Sequence, residues 1–217
     1  MYRRSQFVAL IVLLCSPAIL RGETKPAPVD ETQEPPLKYE LKLGDQTLSI
    51  TEGATVEASG TFTNPKVTLT PEPHRTFPYG GLSFRYPRAF VFEADVSDPD
   101  VKTWTLSGND LTILVFVFSD EVTTEAFAGG MAEQFGEENS RITSTDARIP
   151  VGEKVLRGTQ MDVVLAGQQL QIDILHIPTK AEGTTLLVLQ DSRGESGKPS
   201  KERTGFGKLL SDSLKFE

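Results

Sequence analysis

The run Leu111 to Phe118, Leu-Thr-Ile-Leu-Val-Phe-Val-Phe, limits the architecture more than any other stretch of this chain. Eight residues are too few to cross a membrane, and the β-branched and aromatic content disfavours a helix. As a strand it sends Leu111, Ile113, Val115 and Val117 to one face, and Thr112, Leu114, Phe116 and Phe118 to the other. Both faces are apolar enough to need cover, which describes a central strand between two layers. Gly108, Asn109 and Asp110 supply a turn just before it, so Thr103 to Leu106 is predicted to pair back antiparallel.

The elements around this strand follow from the same patterning. Leu82 to Tyr86 alternates and is stopped by Pro87, while Phe90 and Phe92 continue an apolar phase before an acidic loop at Val96 to Lys102. Phe127, Met131 and Phe135 fall at i, i+4 and i+8, which predicts a helix over Thr123 to Phe135, capped by a threonine and ended by Gly136. Gly129 and Gly130 lie inside it, and close approach of the helix to the sheet is the expected reason. Strands follow at Val155 to Leu165, Leu170 to Ile177 and Thr184 to Gln190, with a turn at Ala166-Gly167. Phe206, Leu209, Leu210 and Leu214 mark a last amphipathic helix starting near Ser200. Short connections between strands require a largely antiparallel sheet. The expected fold is therefore α+β: an α/β/α sandwich on that sheet, preceded by a small N-terminal β segment.

The 217 residues divide into four parts. Residues 1–22 read as a secretory signal, with Arg3 and Arg4 ahead of the apolar run Phe7 to Leu14, and Pro17 after it. Residues 23–36 are rich in proline and acid and read as a disordered linker. Residues 37–76 form a small β-hairpin region, in which Tyr39 to Leu43 pairs with Gln46 to Ile50 across Gly44-Asp45. Weaker strands are expected at Thr55 to Phe62 and Lys66 to Thr70, and Pro71 to Pro78 reads as a proline-rich bridge. Residues 77–217 form the main domain. Cys15 is the only cysteine; a lipoprotein linkage through it is the disfavoured alternative to signal cleavage, because Val12-Leu13-Leu14 before it are not small. After cleavage no integral span and no thiol are expected.

Composition narrows the partners. Hydrophobic content of 38% and charged content of 24% fit a soluble globular domain. The net charge is -8; without Arg3, Arg4 and Arg21 there are 19 basic against 30 acidic residues, or -11. That balance disfavours nucleic acid and an anionic membrane surface as partners.

The order of elements, together with Gly81-Leu82-Ser83-Phe84-Arg85-Tyr86-Pro87, the helix Glu125 to Phe135 and the closing Phe206 to Phe216, resembles the PsbP/Mog-like fold. That group includes exported bacterial proteins of the DcrB and LpqN type. The resemblance covers Phe77 to Glu217, and Phe90 stands where a tryptophan often follows Tyr-Pro in such proteins. It implies a binding or accessory role without a shared catalytic site, and it transfers no site residues.

Chemistry is sparse. His74 lies in a Pro-Glu-Pro-His-Arg loop, and His176 is expected to pack at a strand end, far from it in sequence and without metal-site spacing. Gly194 to Ser200 lacks phosphate-loop spacing. Glu93, Asp95, Asp98 and Asp100 read as a solvated turn, because the calcium-loop glycine and terminal glutamate are absent. Asp162 and Asp173 are predicted on facing strands as the polar edge of a hairpin. Glu133, Glu137 and Glu138 crowd the end of the first helix, where the dipole disfavours them. No catalytic group, cofactor or metal is expected. Trp104, Tyr79 and Phe90 are the candidate partner-contacting residues; for Trp104 core packing is the favoured reading and an anchor for a partner at a sheet edge the minority one. The expected function is an exported, non-enzymatic accessory or protein-binding module of a bacterial envelope, with an unidentified protein partner. The alternative is a small-ligand or lipid carrier using a groove between sheet and helix.

Overall fold

The computed structural model describes residues 30–152, 154–180, 182–194 and 197–216. The expected leader and residues 23–29 of the expected linker lie outside the described residues. The chain opens with a three-stranded antiparallel sheet of β1 (Lys38–Leu43), β2 (Gln46–Thr51) and β3 (Val67–Pro71), in the order β2-β1-β3. The expected hairpin is there, with Tyr39 opposite Ile50 and Gly44 at φ 60° in the turn. Register places Tyr39, Leu41, Leu48, Ile50 and Leu69 on one face. That face has little cover, since Val67 and Leu69 are 59% and 56% exposed. Thr55 to Phe62 does not form the expected strand; it is exposed irregular chain, and its apolar residues Val56 and Phe62 are too sparse to bury a face.

β4 (His74–Phe77) and β5 (Leu82–Pro87) pair antiparallel. The stretch read as a proline-rich bridge is thus partly strand. Its prolines flank His74–Phe77 rather than interrupt it, and Phe77 turns inward to full burial.

The main sheet has seven strands: β6 (Val91–Asp95), β7 (Val101–Ser107), β8 (Leu111–Phe118), β9 (Ser140–Val151), β10 (Lys154–Leu165), β11 (Gln168–Ile177) and β12 (Thr184–Arg193). Their order is β6-β7-β8-β12-β11-β10-β9, antiparallel throughout. β8 lies between β7 and β12, with Val115 opposite both Trp104 and Leu187. β9 was not anticipated from the pattern. It is polar, carries Pro150, and pairs only with β10 through an irregular register near Gly158 to Met161. An edge strand takes ladder bonds from one neighbour and needs no apolar alternation to form.

α1 (Thr124–Phe135) covers one face of this sheet. The other face is covered by α2 (Lys201–Ser213) together with β4, β5 and the closing β13 (Lys215–Phe216), which adds to β5. The chain is therefore α+β with a largely antiparallel sheet. The second cover is not helix alone. Phe77 and Phe84 stack at 4.9 Å, and Phe84 meets Phe206 of α2 edge-on at 5.8 Å. α2 is tied at its start: Ser200 accepts from Arg203 N at 2.9 Å, and the Glu202 carboxylate accepts from the backbone N–H groups of Asp110 and Leu111 at 2.8 and 3.0 Å. One carboxylate thus fixes both the first turn of α2 and the turn between β7 and β8.

Asp30 to Pro36, read as part of a disordered linker, is docked instead. Trp104 Nε1 donates to the Glu31 carbonyl at 2.8 Å, and the Tyr79 hydroxyl donates to the Gln33 carbonyl at 2.6 Å. Lys102 pairs with Glu31 at 2.7 Å and Arg75 with Glu34 at 3.1 Å. Pro35 is buried. Local composition disfavours order here, but buried indole and phenol donors need acceptors, and this segment supplies them.

Candidate functional site

The sequence-derived partner residues do not form a surface. Trp104 is 0% exposed, and Tyr79 and Phe90 are each 5% exposed. Tyr79 stacks on Trp104 at 5.7 Å, and Phe77 meets Trp104 edge-on at 5.9 Å. The physical reason is twofold: β7 turns Trp104 toward the α2 side of the sheet, and Asp30 to Pro36 closes over the indole. Phe90 packs beside Gly108 in the same core. Tyr79-Gly80-Gly81 is a turn built on two positive-φ glycines, at 65° and 73°, and its tyrosine is locked in place.

A concave apolar surface lies on the opposite face of the sheet, beside α1. Three contacts place this helix. Thr123 caps it by accepting from Ala126 N at 3.1 Å; Val122 N donates to Thr184 Oγ1 at 2.9 Å; and the hydroxyls of Thr124 and Thr159 meet at 3.0 Å. Pinned there, α1 packs on β9, β10 and β11. Leu186 and Val188 of β12 are fully buried beneath the same cluster. Leu114 and Phe116, one strand further on, are only half-buried. The cover expected on both faces of β8 therefore buries Leu111, Ile113 and Val115 on one face, leaving Val117 half-buried, and is partial on the other.

The result is an open groove of about 740 Å³ between α1 and β8. Leu114 and Phe116 form its floor, and Ala126, Phe127, Gly130 and Met131 its helical wall. Phe116 lies 4.9 Å from Phe127, and Phe118 stacks along Phe116 at 5.9 Å. Gln134 and Gln190 are among its polar lining groups. Gly129 and Gly130 do not serve close approach to the sheet, as the pattern suggested. A Cβ at either would meet nothing within 4 Å, and Gly130 lies on the groove side. The surroundings are acidic. From Thr103 to Ser140 there is no lysine or arginine but there are seven carboxylates. Glu93 and Asp95 of β6 are exposed on the α1 side of the sheet, since Phe92 and Ala94 between them face the opposite core.

Among the described residues the titratable groups singled out in the sequence sit at separate places in the fold. His74 opens β4 rather than sitting in a loop, and burial followed by the Arg85 charge lowers its pKa. His176 is exposed on β11 rather than packed; it shares a face with the buried Ile172 and Ile174 but lies near the end of the strand, outside their cluster. It lines a polar pocket with Thr123, Asp146 and Arg157. Asp162 and Asp173 are not opposite each other. Gln160 faces Asp173 and Gln171 faces Asp162. Asp162 is exposed, whereas Asp173 is buried and pairs with Arg203 of α2 at 2.8 Å. Asp95 and Asp98 accept from Ser97 and Asp100 within the acidic turn, and the hydrogen bonds from Ser97 hold the Asp95 pKa below its ordinary value. Among the described residues no group of three or more His, Cys, Asp or Glu could hold a metal ion. No helix among them is long and apolar enough to cross a membrane. Glu195 and Ser196 of the glycine-containing loop lie outside the described residues.

No family model matches the chain, and no curated protein matches it. Among solved structures it is similar to the immunity protein TplEi of the T6SS from Pseudomonas aeruginosa, complexed with "L" peptide. The identity is 10% and the TM-score 0.33, over 71% of this chain and 68% of that one. A likeness of that size carries no argument about function.

Proposed function

We propose that this chain is an exported, non-catalytic binding protein of a bacterial envelope, and that it holds part of a partner polypeptide in the groove between α1 and β8. The observation that carries this reading is the half-covered apolar floor: Leu114 and Phe116 stay accessible beside a helix that is fixed over the neighbouring strands. An apolar strip with a polar border is the surface that partners bury. Export rests on the charged-apolar-proline pattern of residues 1–22. The resemblance of residues 77–217 to the PsbP/Mog-like fold, an α/β/α sandwich of mostly binding and accessory proteins, points the same way.

A second reading, a carrier of a small apolar ligand, is favoured by one observation. The groove volume of about 740 Å³ lies within the range of small-molecule sites. A photo-crosslinking residue at Gln134, with one at Lys208 on α2 as control, separates the two. A discrete protein adduct in cells from position 134 and not from 208 is expected. Lipid or metabolite adducts at 134 would move the function to the carrier, and the absence of any adduct there would remove the groove from both.

A further inference from the structure

The shape and charge of the groove narrow the chemistry of what it can hold. We propose that its occupant is an amphipathic helix with lysines or arginines flanking the apolar face. This inference rests on the polypeptide-binding reading.

Backbone hydrogen bonding favours a helix over an extended peptide. The groove floor is the face of β8, not its edge, and β8 is already paired on both sides by β7 and β12. An extended peptide lying there would find no ladder to join and would bury unpaired N–H and C=O groups. A helix satisfies its own backbone and needs only an apolar stripe.

The space beside α1 suits a helix as well. α1 covers β9 to β11, so a second helix beside it would continue the same layer over β8. Neighbouring helices pack about 8–10 Å apart, and the closer spacing needs small residues at the contact. Ala126 and Gly130, four residues apart, line the groove side of α1, and open space lies above Gly130.

Charge around the groove selects the flanks of that helix. Glu133 is exposed on α1 next to Gln134 at the groove, and Glu93 and Asp95 are exposed across the sheet on β6. Lys102 and Arg141 are the basic residues that flank this stretch in sequence; Lys102 points to the opposite face and is held by Glu31, and Arg141 lies on the edge strand β9, opposite Asp162. An apolar stripe flanked by cations meets this surface with complementary sign, and an acidic helix or an anionic bilayer meets it with the same sign.

The test uses the purified chain and three labelled peptides of about five helical turns, a length that presents a full stripe. One carries leucine and phenylalanine on one face and lysine on the flanks. The second replaces each lysine with glutamate. The third keeps the lysine composition but scrambles the apolar stripe. Binding is read by fluorescence anisotropy at low and high salt. The lysine peptide is expected to bind at least about tenfold more tightly than either control, and its advantage over the glutamate peptide is expected to shrink with salt. Gly130→Leu should abolish this binding by filling the groove, and Glu93→Lys, outside the groove and on an exposed edge strand, should weaken it severalfold. Equal binding of the lysine and glutamate peptides would overturn the charge assignment and leave the polypeptide reading standing. Equal binding of the scrambled peptide would overturn the helix assignment. If no peptide binds while a fatty-acid probe does, and Gly130→Leu blocks that probe, the polypeptide reading itself fails.

Discussion

Gly129 and Gly130 lie side by side inside α1, with open space where each would carry a side chain. Glycine inside a helix costs up to about 1 kcal/mol relative to alanine, so two in succession invite a structural reason. Neither is close to the sheet, and neither has the positive φ that would demand glycine. Gly129 is therefore expected to accept alanine with a gain of roughly 0.5–1 kcal/mol, from the lower entropy of the unfolded chain and the better propensity. Urea unfolding of Gly129→Ala measures this, and a loss of stability would mean that the helix needs the glycine for a reason the packing does not show. Trp104 makes the converse point. A lone tryptophan between threonines on a strand could face partner or core, and alternation cannot choose. Its full burial decides the matter, at a favourable transfer energy of the order of 2 kcal/mol or more.

At the scale of elements, two local contacts hold long stretches together. Glu202 is partly desolvated, which pushes its pKa up, but N–H donors from Asp110, Asn109 and Leu111 outweigh this and the net shift is downward. A carboxylate with a lowered folded value stabilises the fold above its ordinary value of 4.5, and that contribution is lost as pH falls through the folded value. Glu202→Gln is expected to destabilise by about 1–2 kcal/mol at neutral pH, the range for hydrogen bonds to a partly screened charge. The gap between variant and parent should close on acidification, as followed by thermal melts across that range; a gap that stays constant with pH would exclude the charge as its source. The docked segment Asp30 to Pro36 gives a second test. Starting the chain at Leu37 removes the Glu31 carbonyl from the indole, the Gln33 carbonyl from Tyr79, and the charge partners of Lys102 and Arg75 at Glu31 and Glu34. Emission from the lone tryptophan should shift to longer wavelength, with a lower Tm. Unchanged emission would show that the segment is dispensable cover.

At the scale of the whole molecule, stability is unevenly spread. The seven-stranded sheet has an apolar cluster on each face, whereas the β1–β2–β3 sheet leaves Val67 and Leu69 mostly exposed. Local opening is easiest where few apolar contacts resist it. Amides of β1 and β3 are expected to exchange with solvent orders of magnitude faster than those of β8 and β12, as read by hydrogen-exchange mass spectrometry. Similar protection in both sheets would mean that the small sheet is covered in solution.

The features determined by sequence alone are those encoded within one turn or one strand. The alternation of Leu111 to Phe118, the hairpins on either side of Gly44-Asp45 and Ala166-Gly167, and the caps at Thr123 and Gly136 depend on neighbours a few residues away. From these the α+β class and the antiparallel sheet could be reached. The groove could not. It exists because α1 is fixed laterally over β9 to β11 by the threonine contacts to Thr159 and Thr184, and no periodicity within the helix records where on a sheet it will rest. β9 was invisible because an edge strand can be polar. The docking of Asp30 to Pro36 was invisible for a simpler reason. The acceptors that hold Trp104 and Tyr79 are main-chain carbonyls, which every residue carries, so only the tertiary structure selects which of them is used.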